Sequence, residues 1–187
     1  MKISKKTIIN ILLIALVLSF FITPLGYHGK ILLNRIFAMS PDIVPKTEAL
    51  KIPDYNWQLK DPQWEFFSFE QSKGNVVFIN FWASWRLPCA AELKGVQRLY
   101  DRYQGELDFY IITNEEREPV QEFMAENDFN FPLTYLIIGE PAPFDIPEPP
   151  ASFILDKSGH IRVQQNGIAD WDNGEIYDLI DSLLQEE

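Results

Sequence analysis

From Asn75 to Trp82 the chain reads Asn-Val-Val-Phe-Ile-Asn-Phe-Trp, a nearly unbroken apolar stretch with β-branched residues. Continuous rather than alternating apolarity predicts a strand covered on both faces. Pro88 then opens a segment in which Leu93, Val96, Leu99, Tyr100 and Tyr103 recur at helical spacing, and Gly105 ends it. Proline suits a first helical turn and glycine a helix end, so a helix follows the central strand directly. Leu107 to Thr113 predicts a second buried strand, and Pro119 to Asn127 a short helix with Val120, Phe123 and Met124 inward. A third strand covers Leu133 to Ile138. After five prolines in residues 141–150, Ser152–Leu155 and Ile161–Gln164 flank the turn Asp156-Lys157-Ser158-Gly159 and form a hairpin. Asp172 and Glu175 predict a capping box for a last helix carrying Ile176, Leu179, Ile180, Leu183 and Leu184. The order βαβαβ followed by ββα implies a mixed central sheet with helices on both faces.

The N-terminal pattern differs. Lys2, Lys5 and Lys6 precede twenty uncharged, mainly apolar residues from Thr7 to Gly26. A helix of that length matches a hydrocarbon core of about 30 Å, so this segment is expected to span a membrane. No Ala-x-Ala-like cleavage site follows it, which favours an uncleaved signal anchor over a removed signal peptide. The basic end is expected in the cytoplasm, although Lys30 and Arg35 beyond the segment weaken that bias. Ile31, Leu32, Leu33, Ile36, Phe37 and Met39 around those two cations suit a helix lying on the membrane surface, or a continuation of the anchor. Periodicity fails from Ser40 to Pro53. Three units result: a cytoplasmic tail and anchor (1–27), a juxtamembrane segment and linker (28–53), and a globular domain (54–187). The domain is expected outside the cytoplasm, on the periplasmic side if the source is bacterial, in a single-pass membrane protein.

Charge and composition narrow the chemistry. The first 50 residues hold six Lys/Arg and two Asp/Glu, leaving ten and twenty-five for the rest. A domain so acidic lacks the basic footprint that nucleic acid demands. The single cysteine, Cys89, excludes an internal disulfide, and His28 and His160 lie too far apart for zinc-site spacing. No metal and no cofactor are expected, and no glycine-rich phosphate loop is present.

The turn between the central strand and the helix reads Trp82-Ala83-Ser84-Trp85-Arg86-Leu87-Pro88-Cys89, with Glu92 three residues further. It resembles the TlpA/ResA branch of thioredoxin-like thiol-disulfide oxidoreductases, whose signature is Phe-Trp-Ala-x-Trp-Cys-x-Pro-Cys and then an acidic residue. Phe81, Trp82, Ala83, Trp85, Pro88, Cys89 and Glu92 match. Pro150-Ala151-Ser152-Phe153-Ile154-Leu155-Asp156 is similar to the family's Pro-Thr-Thr-Phe-Leu-Ile-Asp block. The resemblance implies a thioredoxin-like α/β fold, a cis bond before Pro150 facing the redox motif, and structural roles for Trp82, Pro88 and Glu92.

The departure falls on the attacking thiol. Arg86 stands where that family has its first cysteine, and Cys89 matches the second, sheltered one. The resemblance therefore implies a family of redox enzymes, while the motif itself lacks a two-thiol cycle. Two readings stay open for Cys89: an inert packed thiol, or the nucleophile of a one-cysteine enzyme with an outside resolving thiol. Two stay open for Arg86: drift after loss of activity, or capture of a carboxylate or other anion with the helix N–H groups. Trp85, Arg86 and Pro150 are the expected contacts for an extended peptide or a thiol protein in the groove near Pro150, taken by backbone pairing.

Overall fold

The computed structural model describes residues 4–22 and 24–186; Lys2 of the expected cytoplasmic tail lies outside them. Seven strands form one sheet: β1 (Gln58–Lys60), β2 (Phe66–Ser68), β3 (Val77–Phe81), β4 (Asp108–Thr113), β5 (Leu133–Leu136), β6 (Ala151–Leu155) and β7 (Ile161–Asn166), in the spatial order β2-β1-β5-β4-β3-β6-β7. β3, β4 and β5 run parallel, while β6 pairs antiparallel to β3 and β7 to β6. The sheet is therefore mixed. All five residues of β3 are buried, as its unbroken apolar run demands.

The pleat of β3 divides the core. Val77, Ile79 and Phe81 join Trp57, Leu59, Phe69, Tyr110, Ile112 and Phe153 in one cluster. Phe78 and Trp82 point the other way, into a cluster built with the helices α3 (Leu87–Tyr103), α4 (Arg117–Glu126) and α5 (Gly174–Gln185). No α-helix among the described residues contributes to the first cluster. Where the strand-helix alternation predicts a helix layer, cover comes from residues 52–69 and from Phe144, whose ring meets Trp57 at 5.7 Å and Phe153 at 4.6 Å.

Asn173, not Asp172, caps α5: its side chain accepts from Ile176 N at 3.0 Å. Asp172 is withdrawn from capping because its carboxylate accepts from Arg98 Nε and from the Tyr177 hydroxyl.

Ahead of the sheet stand α1 (Lys5–Ile22) and α2 (Pro24–Phe37). Among the described residues no helix is long and apolar enough to cross a membrane. Eighteen residues at 1.5 Å each give α1 about 27 Å, and two of them are lysines. Residues 39–52 then run along the outer edge of β7. Ile43 bridges Val163, Val44 N donates to Arg162 O at 2.8 Å, and Ile161 N donates to Leu50 O at 2.8 Å. An edge strand that would otherwise offer unpaired main-chain groups is thus covered by the chain itself.

Candidate functional site

The site forms where β3 hands over to α3. Trp82 is fully buried, with its ring 5.5 Å from Phe123 and 6.5 Å from Phe131. It is a packing residue of the core. The following loop is held from the end of β4, because Glu115 accepts from Ser84 N at 2.6 Å and from Ser84 Oγ at 2.7 Å. Trp85 then projects outward, 71% exposed. Arg86 is the N-cap residue of α3 in extended backbone geometry, without a side-chain cap, and Pro88 lies in the first turn.

Arg86 joins the two matched motifs. One guanidinium nitrogen donates to the carbonyl of Pro149 and the other to Glu148 Oε2 at 3.0 Å, while the group sits 5.1 Å from the Trp85 ring centroid. The peptide bond between Pro149 and Pro150 is cis, as the matched block implies, and Pro150 is buried. The carboxylate that meets Arg86 is the chain's own Glu148. A cation at the positive end of a helix costs roughly 0.3–1 kcal/mol, which these contacts offset.

Cys89 lies one turn inside α3 with no exposed surface. Burial pushes its thiol up to about 12; the carboxylates of Glu92 and Glu115 act in the same direction, against a backbone hydrogen bond at Ala83 and the charge of Arg86. At neutral pH this sulfur is a thiol rather than a thiolate.

Glu92 is 3% exposed and sits beneath the site in a polar network that the apolar core surrounds. Asn80 Nδ2 donates to Glu92 Oε1 and to Ser152 Oγ, both at 2.8 Å, and Ala169 N donates to Glu92 Oε2 at 3.1 Å. Burial raises the Glu92 carboxyl to about 7, although the Asn80 and Ala169 donors favour its charged form. The Trp171 indole Nε1 is buried and has no hydrogen-bond partner among the described residues. The sequence marks Glu92 as part of the motif but not its partners. Asn80 and Ser152 were detectable only as polar residues inside apolar strand runs, and Ser84, Glu115 and Glu148 carried no signal.

A small cleft of about 80 Å³ opens beside the motif, lined by Phe81, Trp82, Ile112, Leu136, Ile146 and Pro149 among others. It lies between the ends of β3 and β4 and the proline-rich loop, and Cys89 does not line it. Among the described residues no group of His, Cys, Asp and Glu could hold a metal ion.

The family profile of AhpC/TSA proteins matches residues 50–164. The chain is 31% identical over 162 residues to the thioredoxin-like protein YneN of Bacillus subtilis, covering 84% of this chain and 88% of that protein. It is 29% identical over 112 residues to the thiol-disulfide oxidoreductase ResA of Bacillus cereus, covering 57% and 63% respectively. Among solved structures, a secreted thiol-disulfide isomerase from Corynebacterium glutamicum superposes with a TM-score of 0.62 at 17% identity, over 80% of this chain and 95% of that one. A thioredoxin-family thiol:disulfide interchange protein from Chlorobium tepidum gives 0.56 at 22% identity, over 73% and 98%. These two likenesses establish the thioredoxin-like fold. With the family profile and the YneN match, they make the chain a member of the AhpC/TSA family, in its TlpA/ResA-like branch of thioredoxin-fold proteins.

Proposed function

We propose that this protein is a membrane-anchored, extracytoplasmic member of the thiol-disulfide oxidoreductase family that works as a binding or scaffold module without dithiol exchange. The observation that carries the reading is the pair at positions 86 and 89. Arg86 replaces the thiol that would attack, and the remaining sulfur is sequestered with its ionisation suppressed. Catalytic reduction of a disulfide needs an attacker and a resolver, and one chain supplies a single sulfur.

The anchoring half of the reading is supported by α1. Its large apolar side chains from Ile8 to Leu18 are 47% to 66% exposed, a helix apolar on all sides that water does not favour. Residues 5–37 would hold the domain at the membrane, with the partner an extended peptide or thiol protein meeting Trp85, Arg86 and the loop before Pro150. External protease on vesicles of known orientation tests this. Digestion of the acidic domain only from the cytoplasmic side would reject it.

The chemical half is tested by insulin-type disulfide reduction. The unmodified protein is expected to show no turnover, while Arg86→Cys places a second thiol at the helix N-terminus, one turn from Cys89, and restores a measurable rate. The alternative, a one-cysteine enzyme with an outside resolving thiol, requires Cys89 to react as it stands. It replaces the main reading if the unmodified chain turns over at a Cys89-dependent rate comparable to that of the variant.

A further inference from the structure

Next to Glu92 is a slot of about 10 Å³, close to the smallest space that holds one water, and Asn80 does not line it. Ala91, Gly95 and Arg98 of α3 wall it on one side, and Ala169 and Asp170 on another. The remaining wall is Ala38, which belongs to the segment after α2 and not to the sheet or its helices. That segment is fastened immediately beside the slot. Met39 bridges Ala169, and Asp170 N donates to Met39 O at 3.0 Å. Since Ala169 N donates to Glu92 Oε2, the same residue contacts the segment and the buried carboxyl.

We infer that residues 38–44 act as a strap that closes the solvent route to Glu92, and that its release admits water to the carboxyl and to the face of α3 that carries it. The fastening is of the kind that opens locally. It consists of edge bonds at Met39, Ile43 and Val44, the last also held by Arg162 Nε on its carbonyl at 3.0 Å, and of its side chains only Pro41 is buried, Met39 being 78% exposed. Upstream, α2 packs against α3, so displacement of the N-terminal helices is transmitted directly into the strap. The strap is a device by which attachment at the N-terminus controls the polarity of the site's interior.

The groups facing Glu92 leave the strap as the variable element. Asn80 reaches it from β3, with Ser152 of β6 behind; Cys89 and Arg98 belong to α3; Ala169, Asp170 and Trp171 follow β7. Arg98 is already paired with Asp172. Toward the slot the strap presents the Ala38 methyl group, with the Met39 carbonyl on Asp170 N; its charged side chain, Asp42, is exposed and does not line the slot. Opening it replaces apolar cover by water and lowers the cost of ionising Glu92.

The test uses the full-length chain in detergent micelles, with two substitutions that loosen the strap from different places. Ala38→Asn puts a neutral polar amide into the slot wall, and Ile43→Asp weakens the hold on β7 without touching the slot. Amide hydrogen exchange at Asp170 and Val44 reports release, exchange at Ile79 and Ile111 confirms an intact core, and side-chain carbon NMR follows the titration of Glu92. Both variants are expected to speed exchange at Asp170 and Val44 about tenfold or more, and to move the Glu92 midpoint from about 7 toward the ordinary range. An unmoved midpoint despite faster exchange overturns the inference. So does exchange that neither substitution alters, because the segment is then a permanent part of the fold.

Discussion

Arg86 Nη2 lies 3.0 Å from Glu148 Oε2, and the two side chains differ sharply in exposure, 30% for the arginine and 87% for the glutamate. The exposed half of that pair is worth about 0–1 kcal/mol at most. The half-buried guanidinium also binds the Pro149 carbonyl, which adds roughly 1 kcal/mol, and removing it relieves the unfavourable charge at the start of α3. Glu148→Gln is therefore expected to leave urea stability within about 0.5 kcal/mol, and Arg86→Ala to cost about 1 kcal/mol. Equal losses in the two variants would mean that the carboxylate, not the carbonyl, holds the loop.

Gly159 closes the hairpin turn between β6 and β7 at φ +83°, where a Cβ would come within 2.8 Å of Tyr55 Oη and 3.2 Å of Ile52 Cγ1. Gly74 has a comparable φ of +93° with nothing within 4 Å. Gly74→Ala thus measures the backbone cost alone, about 1 kcal/mol, and Gly159→Ala adds the clash with the segment that lines β7. Thermal or urea unfolding should place Gly159→Ala at least about 1 kcal/mol below Gly74→Ala. Similar losses would show that residues 52–55 yield easily.

The central part of the fold was legible because the chemistry of burial is local there. Val77–Phe81 announces a covered strand, and Leu93, Val96 and Leu99 announce the helix face beneath it. β1 and β2 were not legible, because three-residue strands carry too few positions to show a period. The segment from Ser40 to Pro53 reads as a linker because the bonds of residues 39–52 to β7 and its continuation are largely main-chain, and such bonds leave little side-chain pattern. At the site, Cys89, Arg86, Glu92 and Pro150 were found from the motifs. Glu115 and Glu148 were not, since their roles arise from long-range contacts with Ser84 and Arg86. The choice of Asn173 over Asp172 as cap was equally hidden, because Arg98 and Tyr177 that claim Asp172 come from elsewhere on the helices.

Glu92 gives the protein a stability that declines as the solution turns from acid to neutral. Its carboxyl is raised from 4.5 to about 7 in the folded state. Between those values the folded chain holds a proton that the unfolded chain has released, so the folded state binds more protons and stability falls as pH rises. The full contribution is present below about 4.5 and gone above about 7, a loss of roughly 3 kcal/mol for this one group. Asp156 acts in a different window. Burial alone would raise its carboxyl, but the amides of His160 and Ser158 and the His160 ring outweigh that and lower it, so its contribution is lost only in stronger acid. Urea unfolding at pH 5 and pH 8 therefore isolates Glu92. The unmodified protein is expected to be less stable at pH 8, and Glu92→Gln to remove most of that difference. The variant should also be weaker at pH 5 by about 1–2 kcal/mol, because Asn80 Nδ2 and Ala169 N then share one oxygen where they had two. A pH slope that survives Glu92→Gln unchanged would assign the effect to another group and leave Glu92 ionised within the core.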